Sequence, residues 1–300
     1  MRKAKPKSKP RAKLPRKPQE VRNLVIVSDM HMICRLGLYP TDFELRLDGG
    51  GFYKGSEAQA VVWSWWQEFW DEFIPNATRG EPYSVVVNGD SIDGGAHHKN
   101  TTHISANLGD QERLALHVLR PVRDRAVRFH MIRGTEVHSG ASGVDEERLA
   151  ARLGAEPYGD LNTSYRLRLR LGDSLVDISH HIGTTGTMAA EPVAIHKEIE
   201  QAFVEAARWG EEIPDVVVRS HRHRYAETRV FVEKHGKSLF GTSCTTPGWQ
   251  LKTPFVYRIA GGRAQRPQFG GILVRAGDEE TYTRVFANGI HVFGRHKCRS

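Results

Sequence analysis

Five short apolar runs, each ended by a carboxylate or an imidazole, constrain this chain more than any other feature of it. The run 24–28 ends in Asp29-Met30-His31, 84–88 in Gly89-Asp90, and 127–133 in Gly134-Thr135-Glu136-Val137-His138. The run 175–179 ends in His180-His181, and 216–220 in His221-Arg222-His223. Runs of this kind are what strands covered on both faces show. Between them the stretches 57–74, 110–120, 144–153 and 189–209 carry helical patterns, and in the first of these Val62, Trp66, Phe69 and Phe73 share a face. Strands alternating with helices predict an α/β domain, in which ligands bind outside the carboxyl ends of the strands. The polar groups are therefore expected to converge although the sequence scatters them.

The rest of the chain is consistent with one domain over residues 21–300. Tyr165, Leu167 and Leu169 alternate with Arg166, Arg168 and Arg170, which predicts a half-buried strand paired with 174–180 through Gly172-Asp173. Further strands are expected at 226–233, 238–242, 271–275 and 282–286, with a hairpin around His235-Gly236. Four tryptophans in Trp63-Ser64-Trp65-Trp66-Gln67-Glu68-Phe69-Trp70 read as core, because such side chains bury so much apolar area.

Of 43 basic residues nine fall in residues 1–19, which hold no acid, leaving 34 basic against 35 acidic elsewhere. The basic excess is thus confined to residues 1–20, a Pro-rich segment read as a disordered arm suited either to solubility or to a phosphate backbone such as that of nucleic acid. No apolar run reaches the roughly 18 residues of a membrane span, and the N-terminus leads into no apolar signal stretch, so a soluble, cytoplasmic protein without a membrane partner is expected. Cys34, Cys244 and Cys298 lack CxxC spacing and read as reduced thiols.

In Asp29-x-His31 and His221-x-His223 the paired side chains would point the same way from an extended backbone. One histidine after a strand is an ordinary polar terminus; five such ends together indicate a metal site. An Asp and several His form a mixed oxygen and nitrogen set suited to manganese, iron, zinc or nickel.

In this order the residues resemble the calcineurin-like metallophosphoesterases, whose signature runs D-x-H, G-D, G-N-H-[DE], a lone His and G-H-x-H. Asp29-Met30-His31, Gly89-Asp90, His180 and Ser220-His221-Arg222-His223 match it in order. The resemblance implies a four-layer αββα sandwich with two mixed β-sheets and two divalent metal ions, with manganese taken first. Asp29, His31 and His223 would hold one metal, Asp90 would bridge, and His180 and His221 would hold the second. The family's histidine directly follows a small residue at a strand end, as His180 follows Ser179, which favours His180 over His181.

Two departures stand out. Ser220 replaces the glycine before the histidine pair, and Gly134-Thr135-Glu136-Val137-His138 replaces G-N-H-[DE], a change similar to phage-type members of the family. Glu136, or failing that the Thr135 hydroxyl, is expected to substitute for the asparagine ligand, with His138 as the acid for the leaving group. His97 and His98 beyond the Asp90 turn, and Trp249 and Lys252 in a polar-aromatic loop, are candidate substrate contacts. The implied reaction is hydrolysis of a phosphodiester, with nucleic acid as one substrate, by a hydroxide bridging the metals. A phosphomonoester or phosphoprotein substrate, or a non-catalytic binding role on the same fold, are the alternatives.

Overall fold

The computed structural model describes residues 21–47, 49–95, 102–183, 190–234, 236–259 and 266–289. The basic segment 1–20 and His97 and His98 lie outside the described residues. Among those described, the strands are β1 (Asn23–Val27), β2 (Leu45–Arg46), β3 (Phe52–Tyr53), β4 (Tyr83–Asn88), β5 (Phe129–Ile132), β6 (Thr163–Ser164) and β7 (Arg166–Leu171). They continue with β8 (Ser174–Ser179), β9 (Val216–Arg219), β10 (Ala226–Lys234), β11 (Lys237–Thr245), β12 (Phe269–Ala276) and β13 (Thr281–Asn288). The helices are α1 (Glu57–Glu68), α2 (Ile74–Thr78), α3 (Leu108–Arg125), α4 (Glu136–Ser139), α5 (Val144–Leu153), α6 (Glu191–Trp209) and α7 (Pro254–Ile259).

Two mixed sheets form, in the orders β13-β12-β1-β4-β5-β6 and β10-β11-β9-β8-β7. In the first, β1, β4, β5 and β6 run parallel, β12 pairs antiparallel with β1, and β13 antiparallel with β12. In the second, β8, β9 and β11 are parallel while β7 and β10 pair antiparallel at the edges. The period of two in each strand then sorts its side chains between two cores. Leu24 and Ile26 of β1 face the second sheet's Val176, Ile178, Val216 and Val218. Val25 and Val27 face the other way, into a core with Trp66, Phe69, Leu114 and Leu149 from the helical side. Helix α6 covers the outer face of the second sheet through Ile199 and Ala202 against Val217. The order of layers is therefore helix, sheet, sheet, helix, the sandwich expected from the sequence. Tyr165 departs from the alternation: the strand begins at Arg166, and Tyr165 is exposed.

Helix α1 opens on a capping box, in which Ser56 Oγ accepts from Gln59 N–H and the Gln59 side chain accepts from Ser56 N–H. The same buried Gln59 amide donates to the carbonyls of Cys34 and Gly37, tying the helix to the loop that follows β1. Past Glu68 the helix widens into a π turn, Phe69–Phe73, before continuing as α2. The extra residue rotates Trp70 inward, so that Trp66, Phe69 and Trp70 are all buried. No helix among the described residues is long and apolar enough to cross a membrane.

On β5, His130 is buried with Nδ1 accepting from the Tyr158 hydroxyl at 2.6 Å, and burial together with Arg128 lowers its pKa from 6.5 to about 4. The unfolded chain takes up this proton below pH 6.5 and the folded one only near pH 4, so folding stability falls as pH drops through that window. Wild-type protein is expected to lose about 2 kcal/mol more than His130→Phe between pH 7.5 and pH 5. Chemical denaturation at the two pH values measures it, and parallel losses would assign the acid sensitivity elsewhere.

Candidate metal centre

The parallel strands β1, β4, β5, β8 and β9 deliver their carboxyl ends to one place, but the residues there do not stay extended. Asp29, His31, Asp90, His221 and His223 all have positive φ, between 44° and 71°, and make up five of the eight such non-glycine residues described. Left-handed backbone costs a side-chain-bearing residue roughly 1 kcal/mol or more, and its concentration on these residues marks a functional site. The expectation that each D-x-H and H-x-H pair aligns along an extended strand is thus corrected. Tight turns present these residues, held by bonds between strand ends such as Asp29 N–H to Gly89 O and His31 N–H to Asp90 O.

Three overlapping groups result: one of Asp29, Asp90, His180 and His221, one of Asp29, His31 and His223, and one of His31, Asp93 and His138. His180 Nε2 lies 3.1 Å from Asp90 Oδ2 and 3.9 Å from Asp29 Oδ1. His223 Nε2 lies 3.1 Å from Asp29 Oδ1, and the Nε2 atoms of His31 and His223 are 3.3 Å apart. His221 Nδ1 is 3.9 Å from Asp90 Oδ2. Asp29 Oδ1 and His180 Nε2 are buried without a hydrogen-bond partner. Such a donor set, buried apart from the exposed His221 and the partly buried His223 and with bare ligand atoms at Asp29 and His180, can hold divalent metal ions. His180 donates from Nδ1 to Asn88 O and His31 from Nδ1 to Asp93 Oδ1, which leaves Nε2 of each as the coordinating nitrogen.

At Asp29, Asp90 and His180 burial opposes the charge and the partners overrule it, whereas at His31 burial prevails and lowers the imidazole. Burial raises the Asp29 carboxyl, yet His223 and His180 hold it below the ordinary range; Asp90 is likewise held well below it, chiefly by His180. Burial lowers His180, but Asp90 and Asp29 bring it up to about 10. A cation held here would therefore compete with a proton for the same nitrogen, and its affinity would fall as pH falls.

Glycine is required where the loops cross: a Cβ on Gly134 would sit 2.0 Å from Asp90 Oδ1. Next to it Thr135 donates to Asp90 Oδ1 from both its backbone N–H, at 2.7 Å, and its hydroxyl, at 2.8 Å. Glu136, expected as the replacement ligand, is exposed at the start of α4 and outside all three groups. The physical reason is that Thr135 keeps the extended backbone of an N-cap and turns back on Asp90, while helical geometry carries Glu136 away. Trp249, expected to touch substrate, is fully buried against Trp66 and Phe69, and only its backbone N–H reaches the site, donating to Asp29 O. Lys252 is half-buried near Arg224. His181 is exposed, its ring 5.1 Å from that of His180 and 5.8 Å from that of His221.

His138 is drawn in, its ring 4.4 Å from that of His31. Its Nδ1 lies 3.1 Å from Oδ1 of Asp93, a buried carboxylate that sequence reasoning missed. Asp93 also meets His31 Nδ1 at 3.3 Å and His103 Nε2 at 2.7 Å. Burial would lower His138, but Asp93 raises it to about 9. Glu146 of α5, also missed, is fully buried and accepts from Ser91 N–H, the Ser91 hydroxyl and Gly134 N–H, joining the loops after β4 and β5. Asp93 stands three residues beyond Asp90, the one signal that pointed to it, whereas nothing in the helical pattern of α5 set Glu146 apart.

No protein-family model and no curated protein matches the chain. Among solved structures, a Streptococcus pneumoniae protein described as a predicted phosphoesterase aligns at 10% identity and TM-score 0.30, over 89% of this chain and 98% of that one. A Thermotoga maritima protein aligns at 10% identity and TM-score 0.34, over 89% of this chain and 100% of that one. Vacuolar Protein Sorting 29 from Cryptosporidium parvum aligns at 10% identity and TM-score 0.35, over 90% of this chain and 98% of that one. The architecture described above rests on this chain's own strand order and packing.

Proposed function

We propose that this chain is a metal-dependent phosphoesterase acting on phosphodiesters, nucleic acid among them. The observation that carries the reading is the pair of Asp/His groups sharing the buried Asp29, built on left-handed turns at the ends of parallel strands. Asp29, His31 and His223 would hold one cation, and His180 and His221 the other, with Asp90 between them. Manganese fits this donor set best in our reading, with iron, zinc and nickel as the other candidates. Divalent cations bound there supply Lewis-acid activation of water and compensation of charge for an in-line displacement at phosphorus.

The chain's own residues do the remaining work. Thr135 holds Asp90 in place through two donated hydrogen bonds, so the missing asparagine is answered by a residue that positions a ligand. Asp93 accepts from His138 Nδ1, which orients that imidazole and keeps a proton on it, as protonation of a departing alkoxide requires.

Hydrolysis of bis-nitrophenyl phosphate, nitrophenyl phosphate and single- and double-stranded DNA, with Mn²⁺ and with EDTA, tests the proposal. Mn²⁺-dependent cleavage of the diesters is expected. Cleavage of the monoester alone would move the substrate class to phosphomonoesters, and metal binding without any turnover would make the protein a binding scaffold. The nine cations of residues 1–19 would supply nonspecific attraction to a polynucleotide. Each phosphate contact contributes about 0.7 to 0.9 to the slope of log K against log salt, so deleting residues 1–19 should flatten that slope by several units. Small-diester hydrolysis should be untouched, and an unchanged slope would remove the segment from substrate binding.

A further inference from the structure

Four fully buried polar side chains at four strand ends, Asn88 at the end of β4, Ser220 after β9, Thr246 after β11 and Ser28 after β1, form one continuous hydrogen-bond chain. Asn88 Nδ2 is 2.7 Å from Ser220 Oγ, Ser220 Oγ 2.7 Å from Thr246 Oγ1, Thr246 Oγ1 2.6 Å from Ser28 Oγ, and Ser28 Oγ 2.6 Å from Asp29 Oδ2. Its direction follows from its ends. Asn88 Nδ2 also donates to Ser179 O, which fixes the amide orientation, so Ser220 must accept from Asn88. Each hydroxyl has one proton; Ser220 therefore donates to Thr246, Thr246 to Ser28, and Ser28 to the carboxylate.

We propose that Thr246, together with Ser28 and Ser220, is a positioning residue of the metal centre, its hydroxyl chain selecting which oxygen of Asp29 is presented to a cation. Oδ2 takes the Ser28 hydroxyl and the His221 N–H, leaving Oδ1 as the atom that faces His223, His31 and His180. Without the bond from Thr246 nothing anchors the Ser28 oxygen, and its hydroxyl can turn from Asp29 Oδ2 toward Pro247 O, 3.4 Å away. The chain also reaches the other half of the centre, because the Asn88 carbonyl accepts from His180 Nδ1 at 2.7 Å and so fixes Nε2 as the coordinating atom. Ser220 is indispensable to this arrangement: a glycine there has no hydroxyl to accept from Asn88 and donate to Thr246.

The inference rests on the reading of Asp29 as a metal ligand, and the test separates the two. Mn²⁺ affinity is measured by competition with a chelating fluorophore for wild type, Thr246→Val, Thr246→Ser and Ser28→Ala, each checked for folding by its thermal transition in EDTA. Thr246→Val and Ser28→Ala should bind Mn²⁺ about 10- to 100-fold more weakly, and Thr246→Ser should keep wild-type affinity. Wild-type affinity in both Thr246→Val and Ser28→Ala, or an equal loss in Thr246→Ser and Thr246→Val, would overturn the proposal alone. Absence of Mn²⁺ binding in wild type would overturn it together with the functional reading. If Thr246→Val does not fold, Ser28→Ala decides.

Discussion

Asp90→Asn protein should retain less than about one hundredth of wild-type metal-dependent turnover and lose the cation facing His180 and His221, since even residues behind a metal's ligands cost 10- to 100-fold when replaced. Asp90 Oδ1 accepts from Thr135 N–H and from the Thr135 hydroxyl, and Oδ2 lies 3.1 Å from His180 Nε2. An amide must turn its NH₂ toward one of these, either against two donors or against an imidazole nitrogen that is to bind metal. It also brings no negative charge to offset two cations. Metal analysis by mass spectrometry and turnover of a nitrophenyl diester measure the effect, and a variant that keeps full metal content and full turnover would refute the assignment of Asp90.

Trp249→Ala should lower unfolding free energy by about 3–5 kcal/mol, the range for emptying a buried tryptophan site. For a chain of this size that is a fall of roughly 10 °C in Tm. The indole is fully buried, its ring 4.9 Å from that of Trp66 and 5.9 Å from that of Phe69, so no substrate reaches it. Its backbone N–H, which donates to Asp29 O, survives the substitution, and KM at temperatures where the variant is folded should therefore stay near wild type. A raised KM with an unchanged Tm would restore Trp249 to the substrate surface.

The two residues illustrate what could be read from the chain. Asp90 ends a strand whose apolar run is unmistakable, and strand ends in a parallel sheet gather at one edge, so its place followed from pattern alone. Trp249 lies in a loop, where no periodicity relates sequence spacing to direction; polar neighbours made it look exposed, and only the packing of Trp66 and Phe69 showed otherwise. The same difference separates Glu136 from Asp93. One sits beside His138 in sequence and points away; the other is 45 residues away and lies 3.1 Å from its ring nitrogen.

The sequence by itself determined the alternation of strands and helices, the two-faced burial of β1 and its neighbours, and the meeting of Asp29, His31, Asp90, His180, His221 and His223 at one edge. These follow from side-chain periods of 2 and 3.6, which are local properties of the backbone. The tertiary structure alone decided which atoms of those residues face one another. That depends on left-handed turns at Asp29, His31, Asp90, His221 and His223, and such turns persist only where contacts from other strands hold them, among them Gly89 O, Thr135 and the hydroxyl chain through Thr246. Those contacts join residues up to 218 positions apart, as Ser28 and Thr246 are, and no local pattern encodes them.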